Sequence, residues 1–303
     1  MEYEYLIEVK FPVLVTEQVA GKSGIVLERL SRLFDHTKIS VVLPMYNEEK
    51  TIRSVIEKIP KFPNLEIIVV DDASQDDSRD VVRQCPDVIL MCHEQNKGYG
   101  RTVMDGITRA SGDIIITCDA DGQHDLRDIG TLITPILDHK ADLVIGSRYL
   151  GKYAYELPLT SRIGEAFIEI VLKIVFGINI QANQGGFRAF RYSSVGKIYT
   201  TGNFPGFAFA TETLIRAQLA KLRIKECPIH LYNRQHGRSR VKIISLLISL
   251  VNCLWIYAIK RFCGNLLYQK MVKLIKYFRL FLHKNHIAKN RILCKIDRKN
   301  ICI

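Results

Sequence analysis

The densest group of chemistry-bearing side chains is Asp119-Ala120-Asp121-Gly122-Gln123-His124. Its two carboxylates stand in an i, i+2 relation at the end of the apolar run Ile114–Cys118, so they project to one side, with the amide oxygen of Gln123 two residues on. Hard oxygen donors of this kind suit Mg²⁺ or Mn²⁺, which take one or two carboxylates and complete their shells with substrate phosphates. A cation held there can neutralise the charge that builds on a departing nucleoside diphosphate. Alone, the same residues also read as an acidic turn that caps the next helix, so the choice rests on their surroundings.

Three further groups lie upstream. Asp71-Asp72 ends the run Leu65–Val70 inside VVDDASQDDS. A carboxylate at a strand end can accept from a ribose hydroxyl or a base N–H, or it can cap the following helix, a task open to Ser74 or Asp76 as well. Pro44-Met45-Tyr46-Asn47-Glu48-Glu49 follows the first apolar run, where a dinucleotide fold would carry its glycine fingerprint; the chain has none. The aromatic and acidic residues in its place could stack on and hydrogen-bond to a nucleobase. Asn96-Lys97-Gly98-Tyr99-Gly100 supplies a turn where backbone could pass close to a ligand, or one that merely starts a helix.

The elements that must hold these groups alternate in type. Ile39–Pro44, Leu65–Val70, Val88–Met91 and Ile114–Cys118 are short apolar, β-branched runs that read as buried strands, the first stopped by its proline. Between them, Glu48–Ile59 carries apolar positions Ile52, Val55, Ile56 and Ile59 on one helical face, and Asp76–Arg83 and Tyr99–Ala110 also read as helices. Such alternation predicts an α/β fold with a mainly parallel sheet, in which ligands sit beyond the carboxyl ends of the strands. The acidic clusters fall at those ends.

A chain of 303 residues, 48% hydrophobic and 24% charged, can build one large core or two modest ones. Its net charge of +12 is unevenly spread: residues 264–303 hold ten Lys/Arg against Asp297 alone. Charge segregated behind a greasy segment speaks for anionic lipid headgroups and against nucleic acid, whose binders place basic residues around the reading element. The eight cysteines form no CxxC pair, so reduced thiols facing a cytoplasm are expected rather than a zinc site or a disulfide framework. The opening MEYEYLIEVKF lacks the basic and apolar regions of a secretion signal. Three parts are expected: an N-terminal extension over 1–37, a catalytic block over 38–240 and a membrane-associated tail over 241–303.

Taken in order and at their spacings, PMYNEEKT, VVDDASQDDS, NKGYGRTVMDGI, CDADGQH and GSRY resemble family-2 glycosyltransferases of the GT-A fold, above all dolichyl-phosphate mannose synthases and related polyprenyl-phosphate sugar transferases. The likeness runs from about Ile39 to Arg240. It implies a nucleotide-sugar donor (GDP-mannose or a UDP-sugar), a lipid-phosphate acceptor and inversion at the anomeric carbon. It also implies that Pro44, Tyr46, Glu48 and Asp72 contact the nucleoside and that Asp119, Asp121 and Gln123 hold Mg²⁺ or Mn²⁺ with the diphosphate. Arg148 of GSRY would reach phosphate. Gln184-Gly185-Gly186-Phe187-Arg188 resembles the acceptor loop, Glu212 in FATETLIRA a family glutamate near the active site, and Arg234 in NRQHGRSR the basic loop that closes over the diphosphate. Asp121, Arg148, Glu212 and Arg234 are thus the catalytic candidates. Guanidinium groups suit such roles because they bind phosphate oxygens bidentately; Arg188 and Arg238 read equally well as surface charges. Two departures stand out: Ala182 occupies a place where relatives usually carry Asp, and the QxxRW segment of processive synthases is absent. The rival readings are a transferase of this fold acting on a sugar or protein acceptor, and a non-catalytic nucleotide-binding scaffold on a membrane.

Ile243–Ile259 is seventeen residues without a charge, flanked by Arg240 and Lys242 and by Lys260 and Arg261. As a helix it would be about 25 Å long at ~1.5 Å per residue, the short limit for a bilayer core of ~30 Å. Ser245, Ser249 and Asn252 form a polar stripe that could face another helix, a second copy of the chain or the headgroups. Basic flanks at both ends favour a helix lying in, or re-entering from, the cytoplasmic interface over a span, with the amphipathic Leu266–Leu282 alongside and the catalytic block facing the cytoplasm.

Overall fold

A computed structural model of the chain describes residues 36–61, 64–151, 159–199, 204, 206–234, 236 and 243–263. The segment before His36, Arg238 and the stretch Leu266–Leu282 lie outside the described residues. Alternation holds through the first half: β1 (Ile39–Met45), α1 (Ile52–Lys58), β2 (Leu65–Asp71), α2 (Ser78–Arg83), β3 (Val88–Cys92), α3 (Tyr99–Arg109) and β4 (Ile114–Thr117). A 3₁₀ turn over Leu126–Asp128 leads into α4 (Ile129–Leu137), β5 (Leu143–Ser147) and α5 (Leu159–Val171), which runs on as a π-helical turn over Leu172–Phe176. Then come β6 (Arg188–Arg191), α6 (Tyr192–Ile198), α7 (Phe209–Leu219), β7 (Ile224–Pro228) and α8 (Ile243–Cys263).

The seven strands form one sheet in the order β3-β2-β1-β4-β6-β5-β7. All neighbours are parallel except β6, which runs antiparallel to β4 and to β5. Alternate residues point to opposite faces. Ile39, Val41 and Leu43 pack with Val69, Ile116, α1, α2 and α4 in one core, while Val42, Ile68, Val70 and Ile115 are buried on the other face, where α3 lies across β1 and β2. Each fully buried aliphatic side chain contributes roughly 1.5–3 kcal/mol. These buried strands carry the loops of the site on a stiff base.

Pro44 does not end β1, as the sequence reading expects; the strand continues to Met45, with Pro44 opposite Val70. The carbonyl of Val42 accepts Cys118 N on the β4 side, and Pro44 turns its nitrogen to that same side. β4 stops at Thr117, so the missing N–H falls where no ladder partner is needed.

The chain divides into two compact units, Met1–Leu250 and Val251–Ile303. Helix α8 contains the window Ser245–Phe262, of mean hydropathy 1.4, and is the one helix among the described residues long and apolar enough to cross a membrane. Its Leu250, Cys253, Leu254, Ile256 and Tyr257 are buried, whereas Leu247, Ile248, Val251, Trp255 and Phe262 are exposed.

Candidate active site

The carboxylates foreseen after β4 sit where the halves of the sheet meet. Asp119 Oδ1 accepts from the Tyr99 hydroxyl at 2.9 Å, and Oδ2 lies 3.4 Å from His124 Nε2. Burial pushes the Asp119 carboxyl up, but His124, the Tyr99 hydroxyl and the nearby Arg188 charge outweigh it and hold the group below the usual range. Burial and the Asp119 charge push the Tyr99 phenol well up, so it stays a donor. Asp121 is raised, by burial first and by Asp119 second. A Cβ on Gly186 would come within 2.5 and 2.6 Å of the Asp119 carboxylate oxygens and 2.6 Å of the Tyr99 hydroxyl. The Gln184–Arg188 loop therefore presses its backbone onto Asp119 as only glycine allows, and Thr117 Oγ1 donates to Gly186 O at 2.7 Å.

The other side of this cluster is a two-stranded clasp. His124 forms an antiparallel bridge with Leu231, Gln123 O accepts Tyr232 N at 2.8 Å, and Gln123 Nε2 donates to Tyr232 O at 3.1 Å. The clasp delivers Arg234: its Nη2 donates to Glu48 Oε1, and its Nη1 lies 3.7 Å from Asp121 Oδ2. Burial raises the Glu48 carboxyl even though Arg234 opposes the shift. Thr51 Oγ1 ties the same neighbourhood to Ala120 O at 2.8 Å.

The loops after β1 and β2 are stitched together. Asn47, in the left-handed region at φ 55°, accepts Gln75 N at 2.7 Å and donates its own N–H to Ser74 Oγ at 2.8 Å. Glu48 N donates to Ser78 Oγ at 2.8 Å. Helix α1 consequently begins at Ile52 rather than Glu48, because residues 47–49 serve this junction. Asp72 is 4% exposed. Its oxygens accept Lys97 N at 2.7 Å and Gly98 N at 2.9 Å, and His93 Nδ1 lies 2.8 Å away. Gly98, at φ 90°, gives the loop the curvature that aims both amides inward. In this structure Asp72 thus builds the NKGYG turn, while Tyr46 and Glu48 stand half-buried at the mouth.

Beyond β5 the expected residues are each engaged by neighbouring groups. Arg148 Nη2 reaches Glu165 of α5 at 2.5 and 2.7 Å, and the Tyr149 ring lies between the Arg148 and Arg162 guanidinium groups at 5.2 and 4.5 Å. Arg188 is not a surface charge: it is 3% exposed and donates to Gly185 O, Ala210 O and Asn183 O at 2.8, 2.9 and 3.0 Å. A guanidinium that satisfies three carbonyls can be buried, and it locks the loop to α7. Glu212 is 2% exposed, accepts Phe204 N at 3.1 Å and lies 3.6 Å from Arg216. Gln184 Nε2 donates to Thr211 Oγ1 at 2.5 Å.

Among the described residues, no group of three or more His, Cys, Asp or Glu is gathered to hold a metal by itself. The donor set fits a cation shared with phosphate: two neighbouring carboxylates, with the Asp119 charge raising the Asp121 carboxyl and Gln123 fixed beside them. The sequence reading overlooks Tyr99, His124 and Gly186 as a group; the only hint was that each lies inside a quoted motif. His124 Nδ1 is buried without a hydrogen-bond partner.

A model of the family described as Glycosyl transferase family 2 matches residues 40–199. The UDP-N-acetylglucosamine–dolichyl-phosphate N-acetylglucosaminyltransferase of Methanococcus voltae is 30% identical over 222 residues, covering 67% of this chain and 88% of the relative. A dolichyl-phosphate beta-glucosyltransferase of Trichomonas vaginalis is 25% identical over 250 residues, covering 73% and 74%. In fold, the chain is similar to glucosyl-3-phosphoglycerate synthase from Mycobacterium tuberculosis, solved with Mn²⁺, uridine diphosphate and phosphoglyceric acid, at a TM-score of 0.60, 21% identity and coverage of 77% and 82%. The sheet order, the carboxylates after β4 and the family match across most of that sheet agree: the chain belongs to glycosyl transferase family 2.

Proposed function

We propose that the protein transfers a hexose, with inversion, from a nucleoside diphosphate sugar to a polyprenyl phosphate of the dolichyl type, at the cytoplasmic face of a membrane. The observation that carries this reading is the convergence of Asp119, Asp121, Gln123 and Arg234 opposite a glycine-backed loop, in a chain whose relatives include dolichyl-phosphate sugar transferases. One of those relatives is named for a UDP-sugar donor, which favours a UDP-sugar here, with GDP-mannose as the rival donor.

A phosphate monoester has its second pKa at ~6, so the acceptor arrives ionised and needs no strong general base. Its oxygen attacks the anomeric carbon from the face opposite the diphosphate; the new C–O bond forms as the bond to the leaving oxygen breaks. Asp119, Asp121 and Gln123 would hold Mg²⁺ or Mn²⁺, which supplies charge neutralisation for the diphosphate. Arg234, resting on Glu48 and Asp121, exchanges those carboxylates for the diphosphate, a pairing guanidinium makes bidentately. Tyr46 and Glu48 face the nucleoside, Pro44 lets β1 run on beside it, and Asp72 shapes the turn that encloses it. Arg148, steadied through Nη2 by Glu165, keeps its other N–H groups for acceptor phosphate. Glu212, buried with Arg216, positions α7 and is not the base. The basic residues that flank 243–259 in the sequence support a reading in which residues 241–303 meet an anionic membrane surface and residues 38–240 form the catalytic block.

Membranes carrying the protein, supplied with labelled UDP-glucose, UDP-N-acetylglucosamine or GDP-mannose and a polyprenyl phosphate, should yield a labelled product that extracts into organic solvent. Label passing only to water-soluble sugars or protein would overturn the lipid-phosphate acceptor.

A further inference from the structure

His93, the first residue after β3, has a side chain only 5% exposed, and both nitrogens of its ring face carboxylates. Nδ1 lies 2.8 Å from Asp72 Oδ1, and Nε2 lies 3.1 Å from Asp105 Oδ2 on α3. Each carboxylate is kept ionised by its other partners. The Asp72 oxygens also accept Lys97 N and Gly98 N, while Arg101 holds both oxygens of Asp105, at 3.0 and 2.9 Å, and Lys97 Nζ lies 3.8 Å away. An ionised carboxylate only accepts, and a neutral imidazole donates from one nitrogen, not two. Both contacts therefore hold together only if each ring nitrogen carries a proton. The backbone of His93 is tied as well: its N–H donates to Asp71 O at 2.9 Å, and its carbonyl accepts from Arg79 Nη2 at 3.4 Å.

We propose that His93 is a positioning residue for the nucleotide: a buried imidazolium that bolts Asp72 to α3 and so sets the Asn96–Gly100 turn against the donor. The charged groups around it come from every side. Asp71 and Asp72 stand at the end of β2, with Arg79 of α2 on Asp71; Asp105 and Arg101 belong to α3, and Lys97 to the turn itself. A buried charge is tolerated when it is paired and hydrogen-bonded, and here one ring serves two carboxylates that would otherwise face the interior short of a donor. A neutral ring would turn a lone pair onto one of them. Either Asp72 would be released, and with it the amides of Lys97 and Gly98, or the tie to α3 would part. For its effect on the donor this inference rests on the nucleotide-sugar reading, but the bolt can fail separately.

The test uses the full chain in detergent micelles, with its histidines labelled with ¹⁵N. At neutral pH the wild-type spectrum should contain a ring with both nitrogens protonated, a signal absent from His93→Gln and shifted in Asp105→Asn. A His93 ring with one bare nitrogen would overturn the proposal. Hydrogen exchange at the Lys97 and Gly98 amides should quicken about tenfold or more in His93→Gln; unchanged exchange would count against the bolt. Titration with UDP or GDP in the presence of Mn²⁺ should give a Kd about tenfold higher for His93→Gln than for the wild type. The KM for the sugar donor should rise by the same factor while kcat stays within about threefold, the pattern of lost binding rather than lost chemistry. A fall in kcat with KM unchanged would overturn the positioning role. Adding Asp105→Asn to His93→Gln should cause no further loss, because Asp105 acts through the ring; additive losses would show two independent effects. Should His93→Gln fail to fold, the wild-type ring spectrum and the same exchange and binding measurements on Asp105→Asn decide the matter. Were the wild-type chain to bind neither UDP nor GDP, the donor reading would fall, and the ring protons and amide exchange would still decide the bolt.

Discussion

The loops beyond β1, β2 and β4 use their polar groups inwardly, whereas the elements after β5 divide theirs between the interior and the outside. In the first region Asn47, Asp72, Ser74 and Ser78 each bond the backbone of a neighbouring loop, so the walls of the crevice stand ready before any ligand arrives. In the second, Arg148 rests on Glu165, Arg188 on three carbonyls and Glu212 on Arg216, and large apolar residues remain outside on α5. Rigid hydrogen-bonded loops suit a small charged ligand whose shape does not vary, because preorganised dipoles need no rearrangement as charge develops. The second region is arranged as a platform, set by ion pairs and open on one side, which suits an acceptor arriving from another phase.

Breaking the first region should do the most damage. Asp121→Ala is expected to lower kcat at least ~100-fold, the scale of removing one preorganised electrostatic group, and excess chelator should abolish activity; full turnover in chelator would remove the metal from the site. Gly186→Ala attacks the seam between the regions. The added methyl overlaps Asp119 and Tyr99, and the resulting displacement should lower kcat on the order of 10- to 100-fold with an unchanged far-UV circular dichroism spectrum. Wild-type rates would show that the loop relaxes freely. Arg234→Ala should lower turnover by about tenfold, more than Arg238→Ala, because Arg234 already rests on Glu48 and Asp121; the reverse order, seen in steady-state kinetics, would shift the basic loop by a turn.

The smallest effect sharpens the second region. Asp142 receives Arg223 at 2.7 Å and lies 3.5 Å from Arg191, joining β5, β6 and β7. The Arg223 hydrogen bonds, outweighing burial, bring its carboxyl to about 2, below an ordinary value of ~3.9. A depressed carboxyl stabilises the fold above its unfolded pKa and loses that contribution as pH falls from about 4 towards 2. Discounted for the half-exposed Arg223, Asp142→Asn should cost about 1 kcal/mol at neutral pH and almost nothing near pH 2. Urea titrations at both pH values check this; a loss that does not change with pH would remove the ion pair as its cause.

The difference between the regions also decides what could be read from the sequence. β1 to β4 are apolar, β-branched runs with turn residues between them, and the reading places all four within a residue or two. Their acidic ends follow directly. β6 carries Arg188 and Arg191 in four residues, and β7 is half-buried, so neither shows a strand's period, and the antiparallel insertion of β6 has no local signal. Arg188 looks like a surface charge because nothing local shows that it will fold back onto Asn183 O and Gly185 O of its own loop and reach Ala210 O of α7. Asp72 looks like a ligand contact because its partners at residues 93–98 are distant in sequence. The exposed Phe167, Ile170 and Ile174 of α5 go unread because three apolar residues at helical spacing look like core until the structure shows which face the core takes.

The place of β6 also sets an order of assembly. Strands β1 to β4 can pair as soon as they are synthesised, but β4 then presents Ile114–Thr117, all buried in the finished protein, along a raw edge. Its partner arrives only with Arg188–Arg191, and the bond that clamps the seam joins Thr117 to Gly186, 69 residues apart. Domains begin folding from the N-terminus during synthesis, and closing so long a loop is slow. The crevice walled by the loops after β1 and β2 is thus the early-forming part of the molecule, and an unpaired β4 edge is the stage at which a growing chain is most exposed to pairing with another.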